Sequence, residues 1–142
     1  MFHQIVLAAD GSTHSLKAAD KAVFIAQTTE GAKVTVLHVV DDLPVKGDVA
    51  DEYMRPRDVP DHRKKQVNLV EEKLQAENIS FEVKHIFGDP GPAIVRESER
   101  LKADLLIIGS RGLNPVQQMV LGSVSHKVAK RATCPVMIVK DK

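Results

Sequence analysis

The residues best suited to chemistry lie in one glycine-rich stretch towards the C-terminal end of the chain. Gly109 is followed by Gly112, and nine residues separate Gly112 from Gly122, which is followed by hydroxyls at Ser123 and Ser125. Glycine places no side chain between its backbone N–H group and a ligand, and it adopts backbone angles closed to other residues. Where such a stretch runs into a helix, the free N–H groups of the first turn and the positive end of the helix dipole attract an anion. The stretch therefore predicts a site for phosphate groups, although the glycines could serve only as turn residues and Ser123 only as a helix cap.

Two charged side chains could complete such a site. Arg111 lies between the first two glycines and could add one charged contact to a phosphate group. Asp10 follows the first apolar run of the chain, and its carboxylate could accept hydrogen bonds from two ribose hydroxyls. The alternative role for Asp10 is helix capping, since Gly11 and Ser12 come directly after it. Binding and capping do not exclude each other.

The elements that must position these residues alternate regularly along the chain. Apolar runs are separated by segments with helical spacing of apolar residues, and the runs begin at Ile5, Val34, Phe81, Asp104 and Pro135. The first, fourth and fifth runs are almost continuously apolar, as expected for strands that are covered by helices on both faces. We therefore predict an α/β fold: a single-domain, doubly wound, five-stranded parallel sheet with helices on both faces. Ligands of such folds bind beyond the carboxyl ends of the strands, where the strand order reverses.

Four helices are predicted between the runs, with starts near Ser12 or Thr13, near Asp61, at Pro90 and after Gly122-Ser123. For the third helix we expect Asp89 to be the capping side chain, with Pro90 in the first turn, where no N–H partner is lost. The stretch from Asp41 to Pro60 is the one long irregular segment, and it suits either a lid or a spacer.

The pattern Gly109-x-x-Gly112, nine residues, then Gly122-Ser123 resembles the ATP-binding signature of the universal stress protein family. The likeness extends over residues 1–142, and the other matching segments are the first strand ending in Asp10, Leu37-His38-Val39, Gly88-Asp89-Pro90, Ala103-Asp104 and the closing Cys134 to Val139. It implies one universal stress protein domain in the adenine nucleotide α-hydrolase-like arrangement, with strand order 3-2-1-4-5. That order would bring Asp10 and Gly109 side by side where the strand order reverses.

The resemblance also implies a ligand and a partner. The ligand would be ATP, with Asp10 and Val39 contacting ribose and adenine. The phosphates would lie among Gly109, Gly112, Gly122, Ser123, Val124 and Ser125, and a bound Mg²⁺ or Mn²⁺ would be held mainly by the phosphates. No lysine or arginine lies between Arg111 and Lys127, so little charge is offered to a triphosphate. The partner would be a second copy of the chain, joined through the last strand, Pro135 to Val139, at an apolar sheet edge.

Composition argues against several other functions. The formal net charge is +1, from 20 basic and 19 acidic residues. The chain therefore has no excess of positive charge that would attract nucleic acid or an anionic membrane. The chain begins without a signal-peptide pattern and has one cysteine, Cys134, so a cytoplasmic protein is expected. We expect Cys134 to be a packing residue or a turn residue. The six histidines are at least eleven residues apart, so no built-in metal site is predicted. His38, inside an apolar run, is expected to be a hydrogen-bonded core residue rather than a general base.

These observations together predict an ATP-dependent switch or sensor in the stress response. The sequence contains no Walker-type lysine and no evident carboxylate pair to activate a water molecule, so fast ATP hydrolysis is not expected and no catalytic residue is assigned. Two alternatives stay open. One is a slow ATPase or self-phosphorylating protein with Ser123 or Ser125 as phosphate acceptor, and the other is a nucleotide-free dimeric interaction scaffold.

Overall fold

The computed structural model describes residues 2–9, 13–40, 61–109 and 123–140. Strands and helices alternate through these residues in the order β1 (Gln4–Ala9), α1 (Thr13–Ala26), β2 (Lys33–Val40), α2 (Asp61–Ala76), β3 (Ser80–Phe87), α3 (Pro90–Arg100), β4 (Leu105–Gly109), α4 (Ser123–Arg131) and β5 (Val136–Val139). Each strand begins within one residue of the predicted apolar run. The sequence-based prediction of five strands and four helices is therefore confirmed.

The five strands form one parallel sheet in the order β3-β2-β1-β4-β5, as predicted. The chain winds outwards from β1 in one direction through β2 and β3, and then in the other through β4 and β5. The strand order consequently reverses between β1 and β4. In a doubly wound sheet this is where the loops beyond the carboxyl ends of the strands part to leave a crevice.

Side chains alternate between two apolar layers, one on each face of the sheet. In β1, Ile5 and Leu7 pack with the layer beneath α1 and α2, whereas Val6 and Ala8 pack with the layer beneath α3 and α4. Ile5, Val6 and Leu7 are completely buried, which explains why this run is apolar without alternation. Burial of side chains of this size contributes about 1.5–3 kcal/mol each, and β1 lies at the centre of the five-stranded order.

The first two helices follow their predicted spacing. In α1, Ala19, Val23 and Ala26 are buried against the sheet. In α2, Val67 and Val70 are buried and lie three residues apart, the spacing of residues on one face of a helix.

The prediction that Asp89 caps α3 with its side chain is wrong. Asp89 occupies the N-cap position, but its side chain makes no capping hydrogen bond. A capping oxygen usually accepts from the second or third N–H of the helix. The third residue here is Pro92, which has no N–H, so only the N–H of Gly91 is left as a target. Pro90 does occupy the first turn, as predicted.

Candidate functional site

The predicted site lies at the carboxyl ends of the three central strands. Ala9, the last residue of β1, pairs with His38 of β2, one residue before Val39. On the other side of β1, Leu7 pairs with Ile107, and Ala9 and Gly109 each follow two residues later. The ends of β2, β1 and β4 therefore come level at one edge of the sheet, and they bring the described candidates Val39 and Gly109 to that edge.

Gly109 is joined to α4 by a partly buried hydrogen bond. The Ser125 hydroxyl donates to the carbonyl oxygen of Gly109 at 2.6 Å, and Ser125 is only 2% exposed. A carbonyl oxygen only accepts, so the hydroxyl proton must lie in this bond. The contact joins the last residue of β4 to the first turn of α4 across a sequence separation of 16. The two ends of the glycine-rich stretch are thus brought together.

The first turn of α4 supplies the donors that an anion requires. The helix begins at Ser123, and Val124 lies half-buried against the apolar layer beneath α3 and α4. The first N–H groups of any α-helix have no partner within the helix and carry the positive end of its dipole. The carbonyl oxygen of Gly109, which carries a partial negative charge, already accepts a hydrogen bond from the Ser125 hydroxyl. This edge of the sheet can therefore offer backbone donors to a phosphate group.

The remaining predicted site residues lie outside the described residues. These are Asp10, Arg111, Gly112 and Gly122, and for Ser123 the structure describes the backbone but not the side chain. The same holds for the Asp41 to Pro60 segment. The roles assigned to them stay predictions.

His38 is a hydrogen-bonded core residue, as predicted, and its partner is His85 of β3. His38 is 1% exposed, and the two Nδ1 atoms are 3.0 Å apart. The ring centroids are 5.2 Å apart, longer than the Nδ1–Nδ1 distance by almost two ring radii. The two nitrogens therefore point nearly straight at each other, which is the geometry of an N–H···N hydrogen bond. The bond ties the end of β2, directly before Val39, to the edge strand β3.

The sequence analysis missed His85 as the partner. A signal was present, since each histidine is the fifth residue of its apolar run, counted from Val34 and from Phe81. Two parallel strands that begin in step place such residues opposite each other, and His38 is indeed paired with His85. Whether two strands start in step depends on packing, and the sequence alone does not supply that.

Cys134 behaves as the packing residue that was predicted. It is half-buried against the layer beneath α3 and α4. Burial raises the pKa of its thiol, which lowers the fraction of reactive thiolate at neutral pH.

Two findings concern the described part of the chain as a whole. No group of three histidine, cysteine, aspartate or glutamate side chains among the described residues could hold a metal ion. None of the described helices combines the length and the apolar character needed to cross a bilayer.

Comparison with known proteins adds a family likeness to this geometry. The model of the universal stress protein family matches residues 1–140. The universal stress protein YxiE of Bacillus subtilis is 32% identical over 152 residues, an alignment that covers 99% of this chain and all of YxiE.

Two similar solved structures are of proteins with a bound nucleotide. A universal stress protein in complex with cAMP has a TM-score of 0.72 and 27% identity, and the match covers 97% of this chain and 96% of the other. A universal stress protein family protein from Arabidopsis thaliana with AMP bound has a TM-score of 0.69 and 25% identity, with 98% and 92% covered.

Proposed function

Since the chain belongs to the universal stress protein family, we propose that it binds ATP and acts as a nucleotide-dependent switch or sensor in the stress response. The phosphates would lie between Gly109 and the first turn of α4, and the adenosine would lie towards Asp10 and Val39. Mg²⁺ or Mn²⁺, when bound, would be held mainly by the phosphates.

The observation that carries this proposal is the contact between Ser125 and Gly109. The residues of the glycine-rich pattern lie at the two ends of a stretch of the chain, and they can act on one ligand only if those ends meet. The 2.6 Å hydrogen bond joins them beside the reversal of strand order. This arrangement supports a shared phosphate site.

The class of ligand is supported by the solved relatives. One family member is described in complex with cAMP and another with AMP bound, and both ligands are adenine nucleotides. The choice of ATP rests on the resemblance of the glycine pattern of this chain to the ATP-binding signature of the family, in which backbone N–H groups would donate to the phosphates.

The geometry argues against Ser125 as a phosphate acceptor. A phosphate acceptor needs an accessible hydroxyl with a proton to lose, but the Ser125 hydroxyl is buried and donates to Gly109. Its role as the acceptor of self-phosphorylation is therefore disfavoured. We propose that nucleotide occupancy orders the glycine-rich stretch and thereby changes what the protein contacts.

The proposed partner is a second copy of the chain. β5 is the outermost strand on its side of the sheet, and Val136, Met137 and Ile138 are only half-buried. An apolar edge strand of this kind supports pairing with the same strand of another protomer.

The proposal is tested by identifying the nucleotide released from purified protein and then titrating stripped protein with ATP in a calorimeter. We expect saturable binding, lost in Gly112→Val or Gly122→Val because a branched side chain would fill the space needed for the phosphates. Ala129→Val adds side-chain volume on the exposed face of α4 and is the matched control; it should bind as the parent does.

The outcomes separate the proposed function from its alternatives. A parent protein that carries no nucleotide and binds none at millimolar ATP would favour the nucleotide-free scaffold. Sustained release of phosphate over many turnovers would favour the ATPase.

A further inference from the structure

Ser125 lies in the phosphate-binding part of the proposed site, but its hydroxyl already donates a hydrogen bond to another residue of the protein. A serine hydroxyl carries one proton and can therefore donate one hydrogen bond. That proton goes to the carbonyl oxygen of Gly109 at 2.6 Å, at the short end of the range for O–H···O bonds. What remains on the oxygen is lone pairs, and these repel a phosphate oxygen.

From this geometry we infer that Ser125 is a positioning residue: its hydroxyl clamps the first turn of α4 onto the end of β4 and does not donate to the phosphate. The inference rests on the proposed nucleotide site and assigns a task within it. Contact between ligand and Ser125 would be made by the backbone, and the hydroxyl would act through Gly109.

Two consequences of the clamp favour a bound phosphate. First, it fixes the distance between the strand end and the free N–H groups of α4, so the donors do not have to be ordered when the ligand arrives. Second, it engages the carbonyl of Gly109, whose partial negative charge would otherwise be free to face the anion. Both consequences concern the phosphates and leave the adenosine end of the site unaffected.

The clamp also closes the base of the glycine-rich stretch. The two bonded residues flank residues 110–124 in the sequence. Bringing the ends of a segment of this length together has an entropic cost whether or not a ligand is present. The fold meets this cost by packing α4 against α3 and β5, and the clamp is an additional contact that holds the two ends together before the nucleotide binds.

The test compares ATP with adenosine in four proteins: the parent, Ser125→Ala, Ser125→Thr and Ser98→Ala. Ser98→Ala is the matched control, since Ser98 is also 2% exposed and donates to a backbone carbonyl, that of Val95, but within α3. Ser125→Thr keeps a hydroxyl. Affinities for both ligands are measured by calorimetry, and unfolding temperatures are measured without nucleotide.

For Ser125→Ala we expect about a tenfold loss of ATP affinity, which corresponds to about 1.4 kcal/mol. Its adenosine affinity should stay within about twofold of the parent, because adenosine brings no phosphate. Its unfolding temperature without nucleotide should fall by about 4 °C, because the carbonyl of Gly109 loses its donor. Ser125→Thr and Ser98→Ala should keep the parental ratio of ATP to adenosine affinity.

Other results would overturn the inference. Weaker ATP binding with an unchanged unfolding temperature would make the hydroxyl a direct phosphate ligand. A lower unfolding temperature with an unchanged affinity ratio would make it a purely structural residue. If Ser125→Ala does not fold, Ser125→Cys replaces it, because cysteine is nearly isosteric with serine and a weaker donor. The ratio of ATP to adenosine affinity of Ser125→Cys should then be lower than that of the parent, but by less than about tenfold. A parent that binds neither ligand would instead refute the proposed function, and that failure is recognisable before any variant is made.

Discussion

Asp104 and Gln4 are joined by two reciprocal hydrogen bonds. The backbone N–H of Gln4 donates to Oδ2 of Asp104 at 2.9 Å, and the backbone N–H of Asp104 donates to the carbonyl oxygen of Gln4 at 2.8 Å. The N–H of His3 reaches the same Oδ2 at 3.0 Å. These bonds tie the start of β1 to the start of β4, at the edge of the sheet opposite the candidate site. They hold together the same two strands between which the strand order reverses.

The first prediction is that Asp104 makes stability depend on pH in the acid range. The hydrogen bond from Gln4, and then that from His3, lower the pKa of the Asp104 carboxyl. A carboxyl with a lowered folded-state pKa stabilises the fold above its unfolded pKa of about 3.9, and this stabilisation is lost as the pH falls through the folded-state value. Asp104→Asn should therefore unfold at a lower temperature than the parent at pH 7, and the difference should shrink below about pH 4.

Thermal melts from pH 7 downwards measure this difference. Asp89→Asn is the matched control, because the Asp89 side chain makes no capping hydrogen bond and is exposed. It should follow the parent at every pH. Equal melting of Asp104→Asn and the parent at pH 7 would contradict the role assigned to the carboxylate.

The second prediction concerns the coupling of His38 to His85. The Nδ1 atoms share one hydrogen bond at 3.0 Å, and His38 is 1% exposed. Replacing either histidine by leucine leaves the other Nδ1 without this partner, which should cost about 1–3 kcal/mol of unfolding free energy. Replacing both removes both polar groups, so the double variant should lose less than the sum of the single variants.

Denaturant unfolding of the parent, His38→Leu, His85→Leu and the double variant gives the coupling energy, expected at about 0.5–3 kcal/mol. Strictly additive costs would show that the two imidazoles do not depend on each other.

The third prediction concerns the contact between α3 and α4. A Cβ atom added at Gly91 would lie 3.1 Å from Cδ and 3.2 Å from Cβ of Lys127. The Cδ atom can swing away, but the Cβ atom is fixed to the backbone of α4, so the two helices must separate slightly. Overpacking of this kind typically costs about 1–3 kcal/mol, more than alanine gains over glycine in a helix, at most about 1 kcal/mol. Gly91→Ala should therefore be destabilised.

Chemical denaturation of Gly91→Ala against the parent measures this cost. Lys130→Ala serves as the control, because Lys130 is exposed on the same helix and its truncation should change the unfolding free energy by less than about 0.5 kcal/mol. A Gly91→Ala protein as stable as the parent would show that α3 and α4 can move apart freely.

Much of the fold follows from local patterns in the sequence. The run from Ile5 is apolar at every position because both faces of β1 are covered, and that pattern is visible without any structure. The three-residue spacing of Val67 and Val70 likewise indicates the face of α2 that is buried. Asp89 shows where a local rule fails: a capping residue was correctly placed, but Pro92 had removed one of the donors it would have used.

The contacts that matter most for the site are not local. Ser125 was predicted to contact phosphate. Its neighbours in the sequence did not reveal that its hydroxyl would donate a hydrogen bond to the carbonyl oxygen of Gly109. The sequence also contained both members of the His38 and His85 pair without linking them. In each case the partner is chosen by how strands and helices align in space.

The sequence by itself determined the strands, the helices and the family, because hydrophobic periodicity and the glycine pattern are properties of neighbouring residues. Only the tertiary structure decided which polar groups meet: His38 with His85 across 47 residues, Gln4 with Asp104 across 100, and Gly109 with Ser125 across 16. The physical reason is that a hydrogen bond needs its two atoms within about 3 Å. Strand order and register set that distance, and both follow from packing the whole sheet at once.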